Sequence, residues 1–408
     1  MARYGVVAVG GNRTHLEGYA RSFVADPRCE LIAVADEPDL PEYREGLNRL
    51  LASELGVPYL PLEQALARDD VQIVCMCADV ERRGRVASLC AAAGKHLYLD
   101  KPLAGTVEDA ETIADAVDAA GVVNQMFTHV TAGWTSAARG AIESGEMGEL
   151  RAVHCDMLMA KGRPGTVPED AVRQEKPSDG RFTFVEAKRE LFDMGVYPVS
   201  LLVWLTGQRV KTVYGITGNY FFKEHASLGI EDFGALVLTM EDGLVASVTA
   251  GRIGATSHPR GGQQRVTVIG SSGIATFSEG EPHIEVFTDD PPFVAPTVHP
   301  FDPMSMWAST SRDVQPGPKD RWLPFDVTEQ RADIEAFVDW IDSGSVPEVT
   351  ARDAVHHVEV IMAGYESAAS GEPGELSGRL GVRVWGVLGR ASSDDLVARR
   401  NLPALSPS

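Results

Sequence analysis

Tyr4-Gly5-Val6-Val7-Ala8-Val9-Gly10-Gly11-Asn12-Arg13 is a strand-length apolar run that breaks at a pair of glycines. Outward from it, as far as about Phe127, short apolar runs alternate with longer amphipathic stretches. That alternation is the pattern of strands joined by crossover helices. The strand candidates are Tyr4–Val9, Cys29–Ala35, Val71–Cys77, His96–Leu99 and Val122–Phe127. Between them His15–Ala25, Tyr43–Leu55, Leu62–Arg68, Gly84–Ala93 and Val107–Ala120 repeat apolar residues every three or four positions, as helices with one buried face do. The chain therefore predicts an α/β fold that begins with a parallel, doubly wound sheet over residues 1–127.

Past Gly148 the texture changes. Longer strand-like runs appear at Leu150–Ala160, Val210–Phe222, Phe233–Met240, Leu244–Ile253 and Arg265–Ile269, with Glu241-Asp242-Gly243 and Gly270–Gly273 reading as hairpin turns. Residues 128–388 are thus expected to form an α+β domain with a large, mostly antiparallel open sheet. It includes two late helices at Thr328–Ser343 and Ala351–Ala369, and residues 389–408 form a tail. Nine prolines between Ser278 and Pro324 argue for irregular structure there, a lid, an arm or a long surface loop.

With 408 residues the chain is long enough for two cored domains without disulfides. Its 37 Lys and Arg against 58 Asp and Glu give a net charge of −21, the wrong sign for a binder of nucleic acid or anionic membrane. No apolar run reaches the roughly 20 residues that span a bilayer, and no secretory signal is visible, so a cytoplasmic protein is expected. Five cysteines without C-x-x-C spacing and ten histidines without H-x-x-x-H spacing encode no metal site.

A dinucleotide sits where the first strand of such a sheet turns into its helix, because glycines let the backbone approach the pyrophosphate and the helix N-terminus favours negative charge. Here that turn is Ala8-Val9-Gly10-Gly11-Asn12-Arg13, which keeps only the central glycine of Gly-x-Gly-x-x-Gly at Gly10. Asp36 ends the second strand, Leu31-Ile32-Ala33-Val34-Ala35-Asp36, and Glu37 follows. A carboxylate there can accept from the adenosine ribose hydroxyls and repels a 2′-phosphate, so NAD is favoured over NADP. A solvated strand-end acid is the alternative reading.

Gly94-Lys95-His96-Leu97-Tyr98-Leu99-Asp100-Lys101-Pro102-Leu103 resembles the strand and turn that carry the Glu-Lys-Pro signature of the Gfo/Idh/MocA oxidoreductases, with Asp100 in place of Glu. Phe192-Asp193-Met194-Gly195-Val196-Tyr197-Pro198 is similar to the family's second signature, Asp-x-Gly-x-His/Tyr. Tyr197 is the variant of members similar to glucose–fructose oxidoreductase and dihydrodiol dehydrogenase. The resemblance extends over most of the chain. It implies a Rossmann domain, a second domain whose sheet makes homodimer or homotetramer contacts, and nicotinamide chemistry on a carbohydrate-like small molecule.

Oxidising a secondary alcohol removes a hydroxyl proton while hydride leaves carbon, so an acid/base and a stabiliser of developing alkoxide must converge. Lys101, at the C-terminal end of a parallel strand and stiffened by Pro102, suits the second role, with a surface lysine as the alternative. A neighbouring ammonium would lower the phenol pKa of Tyr197 toward a useful base. Asp193 would share a helix face with Tyr197 and orient Lys101 or bind substrate, unless Pro198 leaves it at the helix cap.

The chain also departs from the family pattern. Cys77-Ala78-Asp79-Val80-Glu81-Arg82-Arg83 replaces the usual Thr-Pro-Asn turn and its His, although Cys77 and Ala78 still stand where that turn contacts cofactor. His129 replaces the common Tyr-x-x-Arg region and is read either as a buried, hydrogen-bonded histidine or as a substrate contact, and Arg163 is a substrate candidate in the long Lys161–Arg189 loop. Three functions are therefore weighed: an NAD-dependent sugar or polyol dehydrogenase, a redox-neutral NAD-using glycoside eliminase or hydrolase, and a dinucleotide-binding sensor without turnover.

Overall fold

The computed structural model describes residues 4–10, 13–38, 40–145, 147–160, 189–222, 225–226, 229–253, 262–278, 283–288 and 329–376. The first sheet holds β1 (Tyr4–Val9), β2 (Cys29–Asp36), β3 (Tyr59–Pro61), β4 (Ile73–Met76), β5 (His96–Leu99) and β6 (Asn124–Met126), in the order β3-β2-β1-β4-β5-β6. All its neighbours are parallel. Val6, Val7, Ala8 and Val9 have no exposed surface, as expected of a strand covered on both faces. Its connections run through α1 (Arg13–Ala25), α2 (Glu42–Leu55), α3 (Leu62–Leu66), α4 (Val80–Ala92) and α5 (Val107–Ala120).

After α6 (Gly133–Glu143) the second sheet is built from β7 (Leu150–Ala160), β8 (Val210–Gly218), β9 (Phe233–Met240), β10 (Val245–Ile253), β11 (Gly262–Gly270), β12 (Gly273–Ser278), β13 (His283–Thr288) and β14 (Gly374–Glu375). Its order is β13-β12-β11-β7-β10-β9-β8-β14, antiparallel except where β7 meets β10. One face is covered by α7 (Glu190–Thr206) and by α9 (Ala351–Ser370), which follows α8 (Glu329–Ser343). Leu191, Val199 and Leu202 of α7 are fully buried, each contributing roughly 1.5–3 kcal/mol. The α9 helix approaches β8 so closely that a Cβ on Gly215 would lie 2.1 Å from the Gly364 carbonyl oxygen.

The late helices also tie the second half of the chain to the first. Phe337 of α8 packs on Tyr98 at a ring separation of 5.5 Å, and the Tyr98 hydroxyl donates to Asp333 at 2.5 Å. The Met126 N–H donates to the Val349 carbonyl at 2.9 Å, and the Ala351 N–H donates to Asn124 Oδ1 at 2.7 Å. These bonds fix the end of the first sheet against the start of α9.

Several boundaries differ from the sequence reading. The short edge strand β3, the β12–β13 pair and α6 are additional elements, α4 begins at Val80 rather than Gly84, and α7 continues through Pro198. The proline-rich stretch beyond residue 288 and the 389–408 tail lie outside the described residues.

Candidate active site

The chain leaves β5 through Asp100-Lys101-Pro102, with a cis bond before Pro102. Asp100 is fully buried and anchors this turn. Its Oδ1 accepts from the Tyr19 hydroxyl at 2.9 Å and lies 2.9 Å from His15 Nδ1, while Oδ2 accepts from Arg83 at 2.8 Å. Burial opposes the charge of Asp100, yet His15, Arg83 and Lys101 outweigh it and hold the carboxyl well below the usual range. Arg83 also donates to the carbonyls of Ala78, Asp100 and Pro102, so one guanidinium clasps both turns.

Lys101 is 3% exposed, which removes the surface-lysine reading. Its ammonium donates to Asp193 Oδ1 at 2.8 Å and to the Asp193 carbonyl at 2.7 Å, joining the first sheet to α7. The same nitrogen lies 4.8 Å from the Tyr197 ring centroid. Asp193 lies within α7, with Arg189 as the N-cap residue, so it does not itself cap the helix. His129 stacks on Tyr197 with ring centroids 4.3 Å apart. Burial, helped by Lys101, pushes the His129 imidazole down to about 3, leaving it neutral near pH 7.

Asp193 has a second cation. Arg252, at the end of β10, donates to Asp193 Oδ2 at 2.8 Å and to Glu190 Oε2 at 2.6 Å, and Glu190 Oε1 lies 2.9 Å from His225 Nε2. Beside Tyr197 a small pocket, with room for about one water, is lined by His129, Trp134, Met157, Leu201 and Gln264, with Asp156 and Arg265 also at its wall. The buried Trp134 indole N–H has no hydrogen-bond partner among the described residues.

The dinucleotide crevice of an open parallel sheet lies where the strand order reverses, here between β1 and β4. Gly10 ends β1 at that point, and a Cβ there would meet Asn48 Oδ1 at 2.3 Å. Across the crevice the Cys77 N–H donates to the Val9 carbonyl at 2.9 Å, and Ala78 is fully buried beside it. Asp36, buried at the end of β2, accepts from Asn48 at 2.9 Å, from the Glu37 N–H at 2.9 Å and from Arg82 at 2.8 Å. The crevice therefore has the strand order and the glycine that fit a dinucleotide, with the Asp36 carboxylate buried at the end of the neighbouring strand. Asp36 is not the solvated acid of the alternative reading, because protein donors already engage it.

Lys101, Asp193, Tyr197 and His129 converge, and Arg83 ties the Cys77-Ala78 turn to the Lys101-Pro102 turn, whereas Gly10, which follows Ala8 and Val9 of β1, is joined to Asp36 through Arg82. Arg13 opens α1; Gly11, Asn12 and Arg163 lie outside the described residues. Arg82, Arg83, Glu190, Arg252 and Trp134 were not singled out by sequence reasoning. Only Arg82 and Arg83 carried a signal, as part of the altered turn after β4. Among the described residues no cluster of potential metal ligands occurs, and no helix is long and apolar enough to cross a membrane.

Residues 3–128 match the model of the oxidoreductase family with an NAD-binding Rossmann fold, and residues 135–276 match that of the GFO/IDH/MocA C-terminal domain. The chain is 22% identical over 372 residues to a scyllo-inositol 2-dehydrogenase (NAD(+)) of Bacillus subtilis, covering 88% of this chain and 92% of that protein. It is 22% identical over 251 residues to a myo-inositol 2-dehydrogenase of Thermotoga maritima, covering 61% and 70%. Among solved structures, scyllo-inositol dehydrogenase from Lactobacillus casei with bound NAD(H) and scyllo-inositol superposes with a TM-score of 0.66 at 16% identity, covering 91% of this chain and 99% of that one.

Proposed function

Because this chain belongs to the Gfo/Idh/MocA family of NAD-binding oxidoreductases, we propose that it moves hydride between nicotinamide and a secondary alcohol of a cyclic polyol or sugar. The observation that carries this reading is the meeting of Lys101 and Asp193 at 2.8 Å, with Tyr197 beside them, from motifs 92 residues apart in the chain. Bound NAD supplies the hydride acceptor. Gly10 and Asp36 would hold it at the adenosine end and Lys101 with Pro102 at the nicotinamide end.

Within that site Lys101 gives two of its three ammonium protons to Asp193. The third remains for a substrate oxygen, where a positive charge stabilises the developing alkoxide. Tyr197, whose ring lies beneath the Lys101 ammonium, takes the hydroxyl proton. Asp193, held by Arg252 on its second oxygen, fixes the direction in which Lys101 points. Neutral His129 and the Trp134 indole offer an acceptor and a donor to further hydroxyls of a ring. The inositol dehydrogenases among the relatives support a cyclic polyol as the first class to test.

A second copy of the chain would cover the outward face of the second sheet, where Tyr214, Ile216, Val237, Val245 and Ile274 are all more than a third exposed. The catalytic reading is tested by incubating the protein with NAD and a panel of inositols, sugars and glycosides, following the reduced-nicotinamide absorbance. Absorbance growth with at least one neutral cyclic alcohol is expected. Tight NAD binding with no reduction across the panel would contradict the reading.

A further inference from the structure

Arg252 is held on two sides and open on a third. It stands one residue before the end of β10, where its backbone N–H donates to the Asp232 carbonyl at 2.9 Å. Its Nε donates to Glu190 Oε2 at 2.6 Å and its Nη2 to Asp193 Oδ2 at 2.8 Å. Glu190 is buried, and its other oxygen lies 2.9 Å from His225 Nε2, so it is itself fixed. Among the described residues none is hydrogen-bonded to Arg252 Nη1. The Arg252 side chain stays 24% exposed and that of Asp193 15%, whereas that of Glu190 is 3% exposed. One edge of the guanidinium is thus left to solvent beside Asp193.

Asp193 sets where that edge stands relative to the reacting atoms. It gives Oδ1 to the Lys101 ammonium and Oδ2 to Arg252, each at 2.8 Å, so the two cations flank one small group. Donors that meet across a single carboxylate lie close enough to serve two oxygens on adjacent carbons of a ring. Charge decides which kind of oxygen suits the second donor. The formal charges of Lys101, Arg252, Asp193 and Glu190 cancel, so a substrate carboxylate or phosphate would enter without compensation. A neutral hydroxyl accepts from a guanidinium without that penalty. Because Arg252 is already tied down at its backbone, Nε and Nη2, little freedom is lost when the hydroxyl binds.

We propose that Arg252 binds the hydroxyl on the carbon next to the one that is oxidised, so that the site selects a vicinal diol over an isolated alcohol. The proposal rests on the dehydrogenase reading above and narrows its substrate to alcohols with a neutral neighbouring hydroxyl. Lys101 meets the oxygen of the reacting carbon and Arg252 Nη1 the oxygen beside it. Truncating Arg252 slows every substrate to the extent that Asp193 loses its hold, but only a vicinal diol also loses a bonding partner.

The test uses the full-length, NAD-saturated protein and two probes of equal composition. One is cyclohexanediol with its hydroxyls on adjacent carbons, taken as the tighter of its cis and trans forms; the other carries them on opposite carbons. Affinity is read by calorimetry, and also as competitive inhibition of the best alcohol of the panel. The wild type should bind the vicinal diol about tenfold or more tightly than its isomer. Arg252→Met should bring the two affinities within about twofold of each other. Because the ratio compares two ligands on one protein, a partial loss of folded material cancels. Arg252→Lys, which keeps a cation for Asp193 and Glu190 but lacks the third nitrogen, should narrow the ratio in the same direction if the methionine variant does not fold. Equal affinities in the wild type overturn the proposal and leave the dehydrogenase reading standing, and so does a preference that survives undiminished in either variant. Binding of neither diol overturns the proposal as well. A wild type that prefers the vicinal diol yet oxidises no alcohol of the panel overturns the dehydrogenase reading while the diol preference stands.

Discussion

At the scale of the residue the site turns on Lys101, whose ammonium binds Asp193 at 2.8 Å and lies 4.8 Å from the Tyr197 ring centroid. The Lys-Pro and Asp-x-Gly-x-Tyr spacings marked Lys101, Asp193 and Tyr197, because each lies in a short contiguous motif. Arg82 and Arg252 were not legible in this way. Each takes its meaning from carboxylates 46 and 59 residues away, and pairing at that separation leaves no local pattern. Buried histidines give a prediction at this same scale. His129 and His357 are both pushed down to about 3 by burial, from an ordinary value of 6.5. Between those values the unfolded chain binds more protons than the fold does. Their stabilisation is therefore complete above about pH 6.5 and is lost on acidification, at about 1.4 kcal/mol per pH unit for each. Asp333, pushed up to about 6 by burial, acts with the opposite sign between about pH 4 and 6, as one proton against two. Thermal melting should thus show a falling midpoint as pH drops from about 6.5 to 5, and His357→Gln should flatten the slope. A midpoint that does not move over that range would contradict the assigned burial.

At the scale of the element, strands covered on both faces and amphipathic helices were legible because their periods are short and repeat. The helix α7 was legible as an element, yet Pro198, which suits a first turn, left open a start at Asp193 rather than at Glu190. The helix continues because it is buried along nearly its whole length, and packing on the second sheet outweighs the lost backbone donor. Edge strand β3 has only three residues, Tyr59-Leu60-Pro61, too few for a period to show. The contact of β8 with α9 could not be read at all, since it depends on two glycines from distant segments. Gly215→Ala places a methyl 2.1 Å from the Gly364 carbonyl oxygen, so strand and helix must separate. A loss of about 1–3 kcal/mol is expected, read as a lower urea midpoint. An unchanged midpoint would show that the two elements are not in contact.

For the whole molecule, the two-motif resemblance conveyed the architecture of both sheets, whereas the assembly of subunits is written only in the pattern of exposed side chains. Tyr214 pairs with Val237 across β8 and β9, and Val245 pairs with Ala152, so the exposed apolar residues share one face of the second sheet. Light scattering should find a dimer or tetramer, and Ile216→Lys with Val237→Lys should shift it toward monomer. A monomeric wild type would remove the proposed role of that face. The catalytic account depends on Lys101, which joins the first sheet to α7 through Asp193. Its most direct test compares wild type and Lys101→Met for NAD reduction with the best alcohol of the panel, alongside NAD affinity. The account predicts a fall in turnover of about a hundredfold or more with affinity nearly unchanged. Equal turnover in the two proteins would contradict it.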